Sequence, residues 1–326
     1  MSISLIVNGK EIQNFEYACV KQSINSIPHS MQVTYLKQDN LIKLNDAYEV
    51  KVDNIVVQRG IITDVKAEVL ENKEGVYYTV RGLDNNNYLL HTSIGFYNYT
   101  DIYSEVPAPV NASALLDYFK ISYNLARDGQ VLFVPCPTDS LFSLMKDIAS
   151  SLNLFMVSTV DGVSFIEKPF NKFNVYLLNS NILETDYYIK NNNLNNTITS
   201  FSYYYDAESI ENVNCKSNKE LIIRNPNNYI NNQDYLKKII KKQNIELYTI
   251  KVKLMTHSLG AGVLPLVNNT VKYNDNIYNV NTSMLITGCK FIESKQEIKT
   301  ELELIESTII DENSDFTGTM GDFISV

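Results

Sequence analysis

Ile3-Ser4-Leu5-Ile6-Val7-Asn8-Gly9-Lys10-Glu11-Ile12 opens the chain with apolar residues on either side of Asn-Gly, the dipeptide that best accepts the backbone of a two-residue hairpin. A returning strand is expected through Glu11 to Tyr17. The same texture continues outward over the first hundred residues. Short β-rich runs at Met31–Leu36, Tyr48–Val52, Ile55–Gln58, Ile61–Val69 and Val76–Arg81 alternate with turn signals at close intervals. Val76–Arg81 intersperses Thr and Arg among apolar and aromatic residues, as a half-buried strand requires. Residues 1–100 therefore predict an antiparallel β-barrel or sandwich.

From residue 101 the texture changes. Val106-Pro107-Ala108-Pro109 reads as an extended linker, and Asn111 can cap a helix beginning near Ala112. A second helix, capped by Thr138 or Asp139, places Leu141, Leu144, Met145, Ile148 and Leu152 on one face. Phe155–Ser158, the Asp161-Gly162 turn and Val163–Glu167 then predict a hairpin. Residues 101–172 thus form a small α/β domain in an otherwise mainly β chain. Strands return over 173–306, with one helix near 234–243. The acidic, weakly patterned residues 307–326 read as an extended tail ordered by a partner. Its candidate partner contacts are Asp311, Phe316, Met320 and Phe323.

An internal echo links the two β-rich regions. Asp53-Asn54-Ile55 followed by Ile62-Thr63-Asp64 recurs as Asp275-Asn276-Ile277 followed by Ile286-Thr287-Gly288. Each copy runs through a Lys/Glu-rich stretch, Lys66–Glu74 or Lys290–Glu297, into a final strand. The spacing differs by two residues, which a hairpin loop can absorb. A duplicated β-barrel is the sharper reading of this pattern, chance similarity the plainer one.

A length of 326 residues suggests two or three domains. The net charge of −9 argues against a protein that grips nucleic acid, because neutralising phosphates needs a Lys/Arg surface. No apolar run is long enough for a membrane anchor, and the N-terminus lacks a basic segment followed by a long apolar one. The chain reads as cytoplasmic when made. Cys19, Cys136, Cys215 and Cys289 stand far apart and read as reduced thiols, not as a zinc site.

No catalytic, cofactor-binding or metal-binding residue is assigned. His29, His91 and His257 are the only histidines, and none lies in a nucleophile elbow. Glu71, Glu74, Glu301, Glu303 and Glu306 read as solvated carboxylates in charge-rich strand ends and turns, not as a glycosidase pair. Asp311, Glu312, Asp315 and Asp322 lack the spacing of a calcium loop, and Gly260, Gly262 and Gly288 match no nucleotide-binding pattern. Lys237, Lys238, Lys241 and Lys242 read as the solvated face of a helix packed on a sheet, with a basic patch for protein or DNA contact as the alternative.

The order of these features resembles the Mu-like baseplate hub proteins of contractile tails, the tail P-like or late-control-D-like family. Tyr48–Asn54 with Arg59–Val65 is similar to that family's strand, Gly and return-strand hairpin. Val80-Arg81-Gly82-Leu83-Asp84, continuing to Tyr88-Leu89-Leu90-His91-Thr92-Ser93, resembles its Gly-Arg-Asp then Leu-x-x-x-Ser signature, with Arg here preceding Gly. The helix at Ser140–Ser151 and the entry at Asn181-Ile182-Leu183-Glu184 fit as well. The resemblance implies two tube-like antiparallel β-barrel domains per chain, at 1–100 and 173–306. It further implies a homotrimer whose pseudo-sixfold ring joins a tail tube or tube-initiator protein to a central spike among other baseplate proteins. DNA or effectors would pass through the ring without stable binding, past a lumen made repulsive if part of the negative charge faces it. The expected location is the host cytoplasm during assembly, then the baseplate of a virion or tail-like particle. A tail-tip peptidoglycan hydrolase and a host-glycan-binding tail module, the latter using some of the 22 Tyr and 13 Phe, are the competing functions.

Overall fold

The computed structural model describes residues 3–12, 15–24, 27–36, 42–69, 75–95, 109–133, 138–152, 154–166, 171–177, 182–189, 195–201, 206–212, 219–224, 232–246, 248–259, 262–275 and 280–307. The chain begins with seven strands: β1 (Ile3–Val7), β2 (Lys10–Ile12), β3 (Phe15–Ser23), β4 (Ser30–Leu36), β5 (Ala47–Val52), β6 (Ile55–Glu68) and β7 (Tyr77–Asp84). Asn8 (φ 48°) and Gly9 (φ 77°) make the left-handed turn between β1 and β2, and Asp53 (φ 50°) and Asn54 (φ 67°) make the same kind of turn between β5 and β6. The expected return strand at Glu11–Tyr17 is split, because β2 pairs with β1 while β3 pairs with β4. The two expected runs within 55–69 are one strand. Gly60 permits this, since a Cβ there would lie 1.9 Å from the Leu83 carbonyl oxygen on neighbouring β7.

The middle of the chain holds a 3-10 turn (Asn85–Asn87), α1 (Tyr88–His91), β8 (Pro109–Asn111), α2 (Ala112–Tyr118), β9 (Tyr123–Leu125), β10 (Gln130–Leu132), α3 (Leu141–Leu152), β11 (Phe155–Thr159) and β12 (Gly162–Ile166). All five residues expected on one face of α3 are buried in a core separate from that of the main sheet. The capping residues differ from expectation. Ser140 Oγ, not Thr138 or Asp139, accepts the Ser143 N–H at 3.2 Å. Asn111 stands at the start of α2 without a side-chain cap, and Asp128 Oδ1 accepts the Ser113 N–H at 3.0 Å instead. A carboxylate at a helix start also meets the positive end of the helix dipole.

The remainder comprises β13 (Asn171–Leu177), β14 (Ile182–Ile189), β15 (Thr197–Phe201), β16 (Glu208–Glu211), β17 (Glu220–Arg224), α4 (Asn232–Glu246), β18 (Tyr248–Leu254), β19 (Asn269–Asp275), β20 (Val280–Ser294) and β21 (Ile298–Glu306). Here the internal echo becomes structural. The early strands pair in the order β3-β4-β7-β6-β5, and the late ones in the order β14-β18-β21-β20-β19, so each unit joins its first, second, fifth, fourth and third strands. Two β-bulges recur at matching places. One lies between Phe15 and Tyr17 on β3 and between Ile182 and Glu184 on β14. The other lies between Ile62 and Asp64 on β6 and between Ile286 and Gly288 on β20. At the second, Thr63 Oγ1 donates to the Arg81 carbonyl at 3.4 Å and Thr287 Oγ1 to the Glu303 carbonyl at 3.2 Å. Left-handed Asn45 (φ 67°) and Asn268 (φ 62°) donate their N–H groups to the Ile62 and Ile286 carbonyls at 2.8 and 2.9 Å. In register, buried Met31, Val33 and Tyr35 take the places of buried Ile250, Val252 and Leu254. Asn276 and Ile277 of the echo lie outside the described residues.

The protein is mainly β with a few short helices, and the barrels expected of each half are not closed among the described residues. Both units belong to one open 13-stranded sheet with β14 and β2 at the ends of its path. The reason lies in β20. Its first residues pair with β19, but beyond the Thr287 bulge the same strand pairs with β3 of the first unit, from Gly288↔Ser23 to Ser294↔Tyr17. Ala18, Val20 and Val33 consequently share one hydrophobic core with Val252, Phe291 and Leu302. Gly60→Ala should lower unfolding stability by about 1–3 kcal/mol, the range for overpacking a tight site, because backbone on β7 blocks the new methyl. An unchanged urea midpoint would show that β6 and β7 can separate there without cost.

Candidate functional site

The sheet has one apolar and one polar face, because side chains alternate along each strand. Across six strands a single row of paired residues reads Glu184, Lys253, Glu301, Lys290, Lys21 and Ser30. Lys253 meets Glu184 in an ion pair that raises the lysine pKa. Lys290 Nζ lies 3.3 Å from Glu301 Oε2, and in the next row Lys251 Nζ lies 3.1 Å from Glu303 Oε1. On the first unit Arg81 Nη1 lies 3.4 Å from Asp64 Oδ2 and Lys66 Nζ 2.6 Å from Glu68 Oε2. Glu301 and Glu303 are thus members of cross-strand ladders. The face carries both signs side by side.

A Ser, a His and an Asp do come together, but not as a nucleophilic triad. Ser158 Oγ donates to Asp84 Oδ2 at 2.6 Å, and the His29 ring presents Nε2 to the Ser23 carbonyl at 3.1 Å and Nδ1 to Asp84 Oδ2 at 3.8 Å. Catalysis needs the histidine beside the hydroxyl, whereas here the carboxylate stands between them. All three are at most 5 % exposed. Asp84 also accepts the backbone N–H groups of His29 at 2.9 Å and Asn86 at 3.0 Å, while Asn86 Nδ2 donates to Ser158 Oγ at 2.7 Å and the Gly162 carbonyl at 3.0 Å. The network joins the loop before β4, the end of β7 and the β11–β12 hairpin, and so fastens the α/β domain to the first unit. No local pattern in the sequence marks it.

His257 is fully buried, with Nδ1 3.0 Å from Thr300 Oγ1 and Nε2 3.7 Å from Glu293 Oε2. Glu293 in turn accepts the Ile3 N–H at 2.5 Å, tying β1 to the second unit. His91 is exposed at the end of α1. Cys19 and Cys289 carry no disulfide, and burial raises the Cys289 thiol pKa. Glu71, Glu74, Cys136, Cys215, Gly260 and the tail residues Asp311, Phe316, Met320 and Phe323 lie outside the described residues. Among the described residues no group of three His, Cys, Asp or Glu side chains is placed to hold a metal ion. No helix is long and apolar enough to cross a membrane.

Two outcomes follow from these contacts. Asp84→Ala should cost about 3 kcal/mol or more in a urea titration, since it strands buried donors, whereas Glu301→Gln on the exposed ladder should cost about 1 kcal/mol or less. Equal effects would overturn the distinction. Burial lowers the pKa of His29, against a smaller opposing effect of Asp84, and that of His257 to about 4. An unfolded imidazole titrates near 6.5, so between about pH 6.5 and 4 the unfolded chain holds more protons and stability falls as pH falls. Glu293, raised by burial, works in the opposite sense. The urea midpoint should therefore drop on acidification from about pH 7 to 5, and a flat profile would exclude the two histidines as its cause.

No family model and no curated protein matches the sequence. Solved structures do match. The tail protein from Neisseria meningitidis MC58 superposes with a TM-score of 0.78 at 18 % identity, covering 94 % of this chain and 97 % of that one. The 43 kDa tail protein of prophage MuSo2 from Shewanella oneidensis gives 0.72 at 15 % identity, over 95 % and 99 %. A component of the E. coli type VI secretion system, described as structurally similar to T4 bacteriophage tail proteins gp27 and gp5, gives 0.60 at 10 % identity, over 93 % and 76 %. Over nearly its whole length, the chain has the fold of phage tail proteins.

Proposed function

We propose that the chain is the hub subunit of a contractile-tail baseplate and that three copies form a ring with pseudo-sixfold symmetry. The observation that carries this reading is the duplication of one five-stranded unit within the chain, with matching strand order and two matching bulges. Two like units per chain turn a threefold assembly into six similar positions, which is what a joint between a sixfold tube and a threefold spike requires. The full-length likeness to tail proteins supports the same reading.

In this assignment residues 1–100 and 173–306 are the two tube-like domains, 101–172 the outlying α/β domain, and 307–326 the tail that reaches a partner. The partners are a tail tube or tube-initiator protein, the central spike and other baseplate proteins. The role is structural, not enzymatic, without a cofactor or membrane anchor, first in the host cytoplasm and then in the virion or tail-like particle. The polar sheet face lines the channel, where paired charges of both signs give DNA or effectors no continuous surface to bind.

Light scattering of the purified chain, followed by negative-stain imaging, tests this. A trimeric ring with a central hole is expected. A compact monomer at all concentrations would count against the hub and favour a hydrolase or glycan-binding module, to be tried on cell-wall material.

A further inference from the structure

We propose that the edge of β6 beyond its Thr63 bulge pairs antiparallel with the outer edge of β14 in a second copy, repeating between chains the β20–β3 junction made within one. The inference rests on the ring reading above and supplies its interface.

The duplication dictates the pairing. β20 changes partner at its bulge, from β19 to β3. β6 is built the same way: it pairs with β5 up to Ile61, and beyond the bulge that edge meets no strand among the described residues. β14, the counterpart of β3, ends the sheet path and among the described residues pairs only with β18. Among the described residues each chain thus carries one satisfied junction and the two unsatisfied halves of another. Unpaired strand edges are aggregation-prone unless covered. Because the two halves differ, the contact is head-to-tail and must close into a ring or run on as a filament.

Transferring the β20–β3 register through the matched bulges places Val65 opposite Ile189, Lys66 opposite Tyr188, Ala67 opposite Tyr187, and Val69 opposite Thr185. Side-chain character agrees. At the end of the internal junction the β3 bulge residue Glu16 holds Lys295 in an ion pair. The counterpart of Glu16 on β14 is Leu183, 56 % exposed, and two residues on, opposite Thr185, the approaching strand brings Val69, 74 % exposed, so each of the two edges carries an exposed apolar side chain at this end of the junction. The register also sets Glu68 opposite Asp186. Each has a lysine beside it, Lys66 at 2.6 Å from Glu68 and Lys251 directly across from Asp186 on β18.

The test is disulfide trapping in the full chain. Ala67→Cys with Tyr187→Cys, and separately Lys66→Cys with Tyr188→Cys, should convert the monomer band to a covalent trimer under mild oxidation on non-reducing gels. The single variants and the out-of-register pair Ala67→Cys with Ile182→Cys should not. A closed trimeric ring in negative stain that neither in-register pair can trap would overturn this junction while leaving the hub reading intact. Absence of both ring and cross-link would overturn both.

Discussion

The antiparallel pairing of β20 with β3 is the contact on which the rest of the architecture depends. It joins strands from opposite ends of the chain, seven residues on each side, and makes two separately built units share one sheet and one apolar core. Ordering so long an intervening segment is entropically unfavourable, and only burial of a common core can offset it. The middle of the chain keeps its own core of α1, α2, α3 and nearby strands, and is held to the first unit by the buried Asp84 network.

The bulges explain how one strand serves two partners. An extra residue bends a strand and increases its local twist. At Thr287 this turns the second half of β20 away from β19 and towards β3, and the hydroxyl holds the bend by bonding across to β21. Thr63 is built the same way on β6. Conserving the bend in both units conserves the direction in which each can extend the sheet, a necessity for any assembly that repeats the unit around an axis.

The charged residues have a different role from the one that net charge suggests. A surplus of nine negative charges describes the whole chain, but local pairing decides what a surface presents. On the polar face of the second unit, from β14 to β20, lysine and glutamate alternate across strands, whereas at the junction with β3 Lys290 faces Lys21. Exposed pairs of this kind add little stability, yet like charges facing each other across strands are unfavourable, so alternation helps to fix register within the second unit, while the β20–β3 register is set by the shared apolar core.

Local chemistry was legible in the sequence. Asn8-Gly9 specified its hairpin because few other dipeptides accept that backbone, the spacing of Leu141, Leu144, Met145, Ile148 and Leu152 specified the buried face of α3, and the Ile-Thr repeat at 62–63 and 286–287 marked the duplication. Interactions between distant residues were not legible. The capping of α2 by Asp128, the fusion of two expected strands into β6, the gathering of Ser158, Asp84 and His29, and the opening of two expected barrels into one sheet all depend on which backbones approach each other. Turn, periodicity and capping preferences act over a few residues and are written where they act. Strand register between remote segments is set by the joint burial of side chains from both, and that is decided only when the chain folds.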